Sequence, residues 1–212
     1  VGGIAREHGI AFLVDATVTT PYLGRSLDMG AHLVMHSATK FLSGHGTVIG
    51  GVLVDGGRFD WDASGKYPTL TAPYEGFHGM VFTEESPVTA FALRARREGL
   101  RDLGACLAPM SAFQILQGIE TLPLRMPRHV AATRAVAAFL ADHPAVARVH
   151  HPDLPSHPDH DLAKRLYPAG ASAILSFEIA GRTLPQDHRA ALAGALLSTL
   201  PWLADEPTVA VH

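Results

Sequence analysis

Apolar residues in this chain fall in short runs punctuated by glycine, proline and charge, and those runs alternate between strand-like and helical patterns. Val1–His8 reads as the closing turns of a helix that Gly9 stops. Ile10–Val14 is an unbroken apolar run closing on Asp15, the pattern of a buried parallel strand. A loop through Pro21 and Gly24 leads past Gly30 to a second strand at Ala31–Met35. A third, Val48–Val54, is entered from the glycine-rich Ser43–Gly46. Residues 55–82, rich in Gly, Pro, Tyr and Thr, read as an extended loop, and loops of that length usually have a function or cover something.

The second half is mainly helical at first. Glu84–Gly99 follows Thr83 as N-cap, with Pro87 in its first turn. Cys106–Thr121 is uncharged until Glu120, which predicts a buried helix with Cys106 packed as a small hydrophobe. Pro127 interrupts the pattern and opens a helix to Ala141. Then come a strand at Val146–His150, a helix at Asp159–Leu166, a strand at Ala173–Ile179, a helix from Gln186 to about Thr199 and a strand at Thr208–Val211. The alternation predicts an α/β fold of two units, residues 1–123 and 124–212, dividing near Thr121–Pro127.

Composition narrows the class. The 212 residues, 47% apolar and 17% charged, suffice for a core without disulfides. Cys106, the single cysteine, suggests a reducing compartment. A net charge of −3 argues against nucleic acid as the main partner. No apolar stretch has membrane-spanning length, and Val1–Ile10 lacks a signal-peptide pattern, so a cytoplasmic enzyme is the expectation. The sequence opens without a methionine and stops just after an apolar run, so both ends read as cut.

Only three lysines, Lys40, Lys66 and Lys164, can supply an amine. Lys40 lies in His36-Ser37-Ala38-Thr39-Lys40, after the second strand, and Asp15 closes the first. Ligands of doubly wound sheets bind at such carboxyl ends, so the two segments can converge on one site. An amine for a Schiff base, a carboxylate for a ring nitrogen and hydroxyls for a phosphate are what pyridoxal phosphate requires.

These residues carry a resemblance. Val14-Asp15-Ala16-Thr17, Pro21-Tyr22-Leu23 and residues 36–57 (HSATKFLSGHGTVIGGVLVDGG) resemble the pyridoxal-phosphate enzymes of cysteine and methionine metabolism. Residues 101–129 and 151–179 are similar to the O-acetylhomoserine sulfhydrylases among them. The likeness covers nearly the whole chain and is weakest at 58–66, 84–97 and 182–212. It implies pyridoxal-phosphate fold type I, the aspartate-aminotransferase-like α/β fold: part of the large, mainly parallel-sheet domain and most of the small C-terminal domain.

By the same resemblance, Lys40 is the Schiff-base lysine and proton carrier, Asp15 pairs with the pyridinium nitrogen, and Ser37 and Thr39 hold the phosphate. Ser198 matches a serine near the substrate carboxylate. The implied reaction is γ-replacement on O-acetylhomoserine by sulfide, giving homocysteine and acetate, in a homo-oligomer built as a dimer of dimers. Alternatives are a cystathionine γ-synthase or methionine γ-lyase of the same family, or a fragment without catalysis. The chain departs from the family pattern at Ala16, where Asn is usual, and at Phe77, where Tyr is usual. The family's N-terminal aromatic and phosphate-binding elements, and its carboxylate-binding arginine, have no counterpart in these residues.

Other features have plainer readings. The glycines from Gly44 to Gly51 precede a strand, the wrong order for a dinucleotide loop, and suit close packing beside Lys40. His150, His151, His157 and His160 lie in a proline-broken loop without metal-ligand spacing, so no metal is expected. Tyr74, Phe77 and His78 either cover a site or subunit contact or belong to ordinary surface.

Overall fold

A computed structural model describes residues 1–180. Ser198, the expected helix from Gln186 and the strand at Thr208–Val211 lie outside the described residues. Helix α1 (Gly2–Glu7) leads through Gly9, at φ +56°, into β1 (Leu13–Asp15). A short helix α2 (Thr20–Leu23) precedes β2 (Leu33–Ser37), and β3 (Gly51–Asp55) follows. The sheet order is β1-β2-β3. β1 and β2 are parallel, with Asp15 opposite Met35, so both expected site segments leave the same end of the sheet.

β3 runs antiparallel to β2, with Ser37 opposite Gly51. Residues 38–50 between them form a loop that carries Lys40 and is tied across by Thr39 and Gly50.

The segment expected as an extended loop builds a second core. Short helices α3 (Trp61–Ser64) and α4 (Pro68–Thr71), a 3₁₀ turn at Glu75–Phe77 and α5 (Phe82–Glu85) surround Trp61, Leu70 and Phe82. Phe59 meets Trp61 edge-on at 4.7 Å, and Tyr67 meets Trp61 edge-on at 5.1 Å, both aromatic pair geometries that add to simple burial. The expected helix at 84–99 divides into α6 (Ala90–Arg94) and a widened π-helical stretch at Ala95–Asp102.

Helix α7 (Pro109–Glu120) begins later than expected. Gly104 takes a left-handed φ of +75° and Pro109 sits at the first helical position, so Cys106 stays outside the helix and is exposed. The helix is not buried as a whole: Ile115 and Gly118 face inward, while Met110, Phe113 and Leu116 are exposed. Its apolar residues encircle it, and the described elements pack on one side only.

Helix α8 (Leu122–Ala141) contains Pro127 without being broken by it. The helix crosses the 123/124 division and serves two cores. Leu122, Met126 and Val130 pack with Ala38, Leu42, Val48 and Ile115 beneath the Lys40 turn. Ala137 and Leu140 pack with Val149 of β4 (Val146–His150). Helix α9 (His160–Leu166) and β5 (Ser176–Ile179), antiparallel to β4, complete the described fold.

The histidine-rich loop has a structural use. His151, fully buried, accepts from the Asp153 N–H, and His157 accepts from the Asp159 N–H. His160 bonds the Pro152 carbonyl, and His150 pairs with Glu178 at 2.8 Å. The rings of His151, His157 and His160 thus satisfy backbone groups of the proline-broken loop.

Candidate active site

Asp15 and the Lys40 turn come together as the parallel strands require, and Thr17 joins them. The Asp15 carboxylate accepts from the Thr17 hydroxyl at 2.6 Å and from its N–H at 3.0 Å. This is an Asx-type turn closing β1. The same Thr17 oxygen accepts from the Ser37 N–H at 2.7 Å, across to β2. The Thr17 hydroxyl bond, then its backbone N–H, hold the Asp15 carboxyl below the ordinary carboxylate range; burial opposes this slightly and the nearby His36 adds to it. Asp15 is therefore anionic and fixed in direction.

His36 lies under the site. It is buried and its Nδ1 bonds the Ala16 carbonyl at 3.1 Å. Burial pulls its pKa down, against that bond and the Asp15 charge, so the ring is neutral near pH 7.

Lys40 is exposed and lines a cleft of about 530 Å³. The cleft collects Thr17 and Val18 from the β1 exit, Thr39, Lys40, Phe41, Gly44 and Gly46 from the turn, Arg125 and His129 from α8, and Ile174 from the approach to β5. Thr39 Oγ1 accepts from the Gly50 N–H at 3.0 Å, with the Gly50 carbonyl 3.3 Å away. Ser37 Oγ has no hydrogen-bond partner among the described residues and so presents a free donor. Ser37 and Asp15 do not themselves line the cleft; both reach it through Thr17.

Lys66 and Lys164 stand elsewhere: Lys66 bonds the His8 carbonyl and Lys164 lies in the last turn of α9. Tyr74, Phe77 and His78 do not cover the cleft. Tyr74 packs in the second core, and the Phe77 ring carries the guanidinium groups of Arg97 and Arg101 at 4.7 and 4.5 Å.

Three site residues carried no signal strong enough to single them out. Thr17 was readable in principle, two residues after a strand-terminal Asp. Arg125 and His129, one turn apart on α8, reach the cleft only through tertiary packing; His129 meets Phe41 edge-on at 5.6 Å.

The donor set of one unhindered amine, one fixed carboxylate and two hydroxyls suits an aldehyde cofactor with a basic ring nitrogen and a phosphate. The sequence comparisons agree on the class. Residues 1–200 match the family described as Cys/Met metabolism PLP-dependent enzymes, and the chain belongs to that family. It is 44% identical over 209 residues to an O-acetyl-L-homoserine sulfhydrylase of Thermus thermophilus, covering 98% of this chain and 49% of that protein. It is 43% identical over 213 residues to a homocysteine synthase of Schizosaccharomyces pombe, covering all of this chain and 49% of that one.

Among solved structures, an O-acetylhomoserine (thiol)-lyase of Campylobacter jejuni, containing N'-pyridoxyl-lysine-5'-monophosphate, superposes with a TM-score of 0.78. That match has 36% identity and covers 84% of this chain and 44% of the other. The architecture is thus the α/β fold type I of pyridoxal-phosphate enzymes. The chain spans about half the length of the curated relatives it matches.

Proposed function

We propose that this chain forms the lysine-bearing part of an O-acetylhomoserine sulfhydrylase, which replaces the γ-acetoxy group of O-acetylhomoserine by sulfur. The observation that carries the reading is the convergence of Lys40 and the Thr17-held Asp15 at the exits of two parallel strands. The relatives named for this reaction support the choice of substrate over the lyase and cystathionine-forming alternatives.

Pyridoxal phosphate, when bound, supplies an electron sink that makes hydrogens near the substrate amine acidic. Lys40 would hold the cofactor through its aldehyde and, when free, carry protons between substrate carbons. Asp15, held anionic by Thr17, would keep a proton on the ring nitrogen. Ser37 and Thr39 would donate to phosphate oxygens, Ser37 with its free hydroxyl and Thr39 with its proton turned from the Gly50 carbonyl. In the net reaction the γ C–O bond breaks, releasing acetate, and a C–S bond to sulfide forms, giving homocysteine.

The reading places residues 1–123 in the cofactor unit and 124–212 in the smaller one, with α8 spanning the division and packing into a core on each side. It includes a cytoplasmic location and self-assembly. Among the described residues no helix is long and apolar enough to cross a membrane.

The test adds pyridoxal phosphate to the protein, expressed with any coding sequence that flanks this chain, and traps the adduct with borohydride. Peptide mass mapping should place the pyridoxyl group on Lys40, and the loaded protein should form homocysteine from O-acetylhomoserine and sulfide. A label on Lys66 or Lys164, or cleavage of methionine without homocysteine formation, overturns the reading.

A further inference from the structure

The geometry points to Arg125 as a positioning residue for Lys40: its guanidinium fixes the backbone of the turn that aims the lysine. This rests on the reading of Lys40 given above.

Consider where the carbonyls of the turn find partners. Ser37 O accepts from the Lys40 N–H at 3.2 Å, and Ala38 O from the Ser43 N–H at 3.0 Å. Thr39 O accepts from the Ser43 hydroxyl at 3.0 Å, and Lys40 O from the Gly44 N–H at 2.9 Å. The next two carbonyls are met from outside the turn. Arg125 Nη1 donates to Phe41 O at 2.9 Å, and Nη2 reaches Leu42 O at 3.5 Å. Arg125 thus completes the set, from a residue far along the chain.

The other end of the fork is anchored as well. Nη2 donates to the Gly118 carbonyl at 2.7 Å, in the last turn of α7, and Nε to the Thr121 hydroxyl at 3.0 Å. A cation at a helix C-terminus is favourably placed. A guanidinium has five N–H groups, and four contacts here go to protein, so this arginine serves as a strut and has no pair of N–H groups left to grip a substrate carboxylate bidentately. Lysine could not substitute, since an ammonium cannot span these acceptors as a planar fork does.

Gly44 shows how close the fit is. It has a φ of +71°, and a Cβ there would stand 2.5 Å from the Arg125 guanidinium carbon. Gly65, which caps α3 away from the cleft with a similar φ of +63°, would place its Cβ in open space. The two glycines share backbone strain on substitution but differ in whether they disturb Arg125.

The experiment compares Arg125→Met, Arg125→Lys, Gly44→Ala and Gly65→Ala in the pyridoxal-phosphate-loaded protein. The readouts are the pH midpoint of the visible cofactor–lysine band, the rate of cofactor release, and kcat against KM. Arg125→Met and Gly44→Ala should both move the band's midpoint and speed cofactor release. In each, kcat should fall about 100-fold, the scale of a 1 Å misplacement of a reacting group. KM should stay within about threefold, because ground-state binding is not what is lost. Arg125→Lys should recover only part of the effect, and Gly65→Ala should lose thermal stability alone.

An Arg125→Met protein with a lowered melting temperature but an unchanged band midpoint and release rate overturns the proposal. So does a Gly44→Ala protein that, like Gly65→Ala, loses thermal stability alone. Borohydride labelling of a lysine other than Lys40 in the unmutated protein overturns the functional reading instead, so the two failures are distinguishable.

Discussion

The Ser37 amide donates to the Thr17 hydroxyl oxygen at 2.7 Å, so the exits of β1 and β2 are linked by a side chain as well as by the strand ladder. The same hydroxyl gives its proton to Asp15 at 2.6 Å. One threonine thereby sets the register of the site and the charge of its carboxylate.

Replacing Thr17 by Val should undo both. The larger cause of Asp15's depressed pKa is removed, so its carboxyl should titrate at higher pH, toward the ordinary range. Loss of the acceptor for the Ser37 N–H should cost about 1 kcal/mol of stability. Carbon NMR titration of Asp15 checks the first and urea unfolding the second. Thr17→Ser should restore both, and a Thr17→Val protein whose Asp15 titrates as before would show that the hydroxyl does not control it.

Asp15→Ala should bind pyridoxal phosphate more weakly and turn over much more slowly, since the ring nitrogen loses its anionic partner. The proton-transfer steps should suffer about 10²-fold or more, the scale that a positioned proton-transfer group contributes. Spectroscopic titration gives the affinity and steady-state kinetics the rate; turnover equal to the unmutated protein would remove Asp15 from the assigned role.

The convergence of Asp15 and Lys40 was legible because it depends on local facts: apolar runs, the residues that end them, and the rule that parallel strands share an exit. The bounds of β4 were legible for the same reason. What the pattern could not show depends on contacts distant in sequence. Arg125 reaches Phe41 and Leu42 across more than eighty positions, and no period or motif links them. The aromatic residues of 59–82 lack helical or strand spacing because they pack from short irregular pieces into a common core. Cys106 and the outer face of α7 are exposed against the expectation because composition reports how apolar a helix is, not which side is covered.

Gly118→Ala should be among the most damaging small changes in the chain. A Cβ there would lie 2.0 Å from the Ser43 carbonyl oxygen and 2.6 Å from that of Leu42, both backbone atoms of the Lys40 turn. Overpacking of this kind costs roughly 1–3 kcal/mol or more. Gly99→Ala is the control, because its Cβ would meet nothing within 4 Å. Thermal unfolding should show a clear loss for Gly118→Ala and none for Gly99→Ala; equal melting temperatures would mean that α7 does not press on the turn.

Stability should fall as the pH drops through the histidine range. Burial is the main cause of the lowered pKa of His36 and also of His32, whose Nδ1 accepts from the Phe12 N–H. In the unfolded chain both rings take up protons near their ordinary value of about 6.5, whereas the folded chain keeps them neutral to lower pH. The unfolded state therefore binds more protons in that window, so stability is fully present above it and declines as pH falls toward the folded-state pKa values. The carboxylates Asp15 and Glu178, also lowered, act further down, their contribution being lost as pH falls below about 4. Urea midpoints measured at about pH 7.5 and about pH 5.5 should differ, with the lower pH less stable. His36→Gln keeps a donor for the Ala16 carbonyl but cannot titrate, so it should narrow that difference. An undiminished difference in His36→Gln would assign the pH dependence to other groups, His32 first.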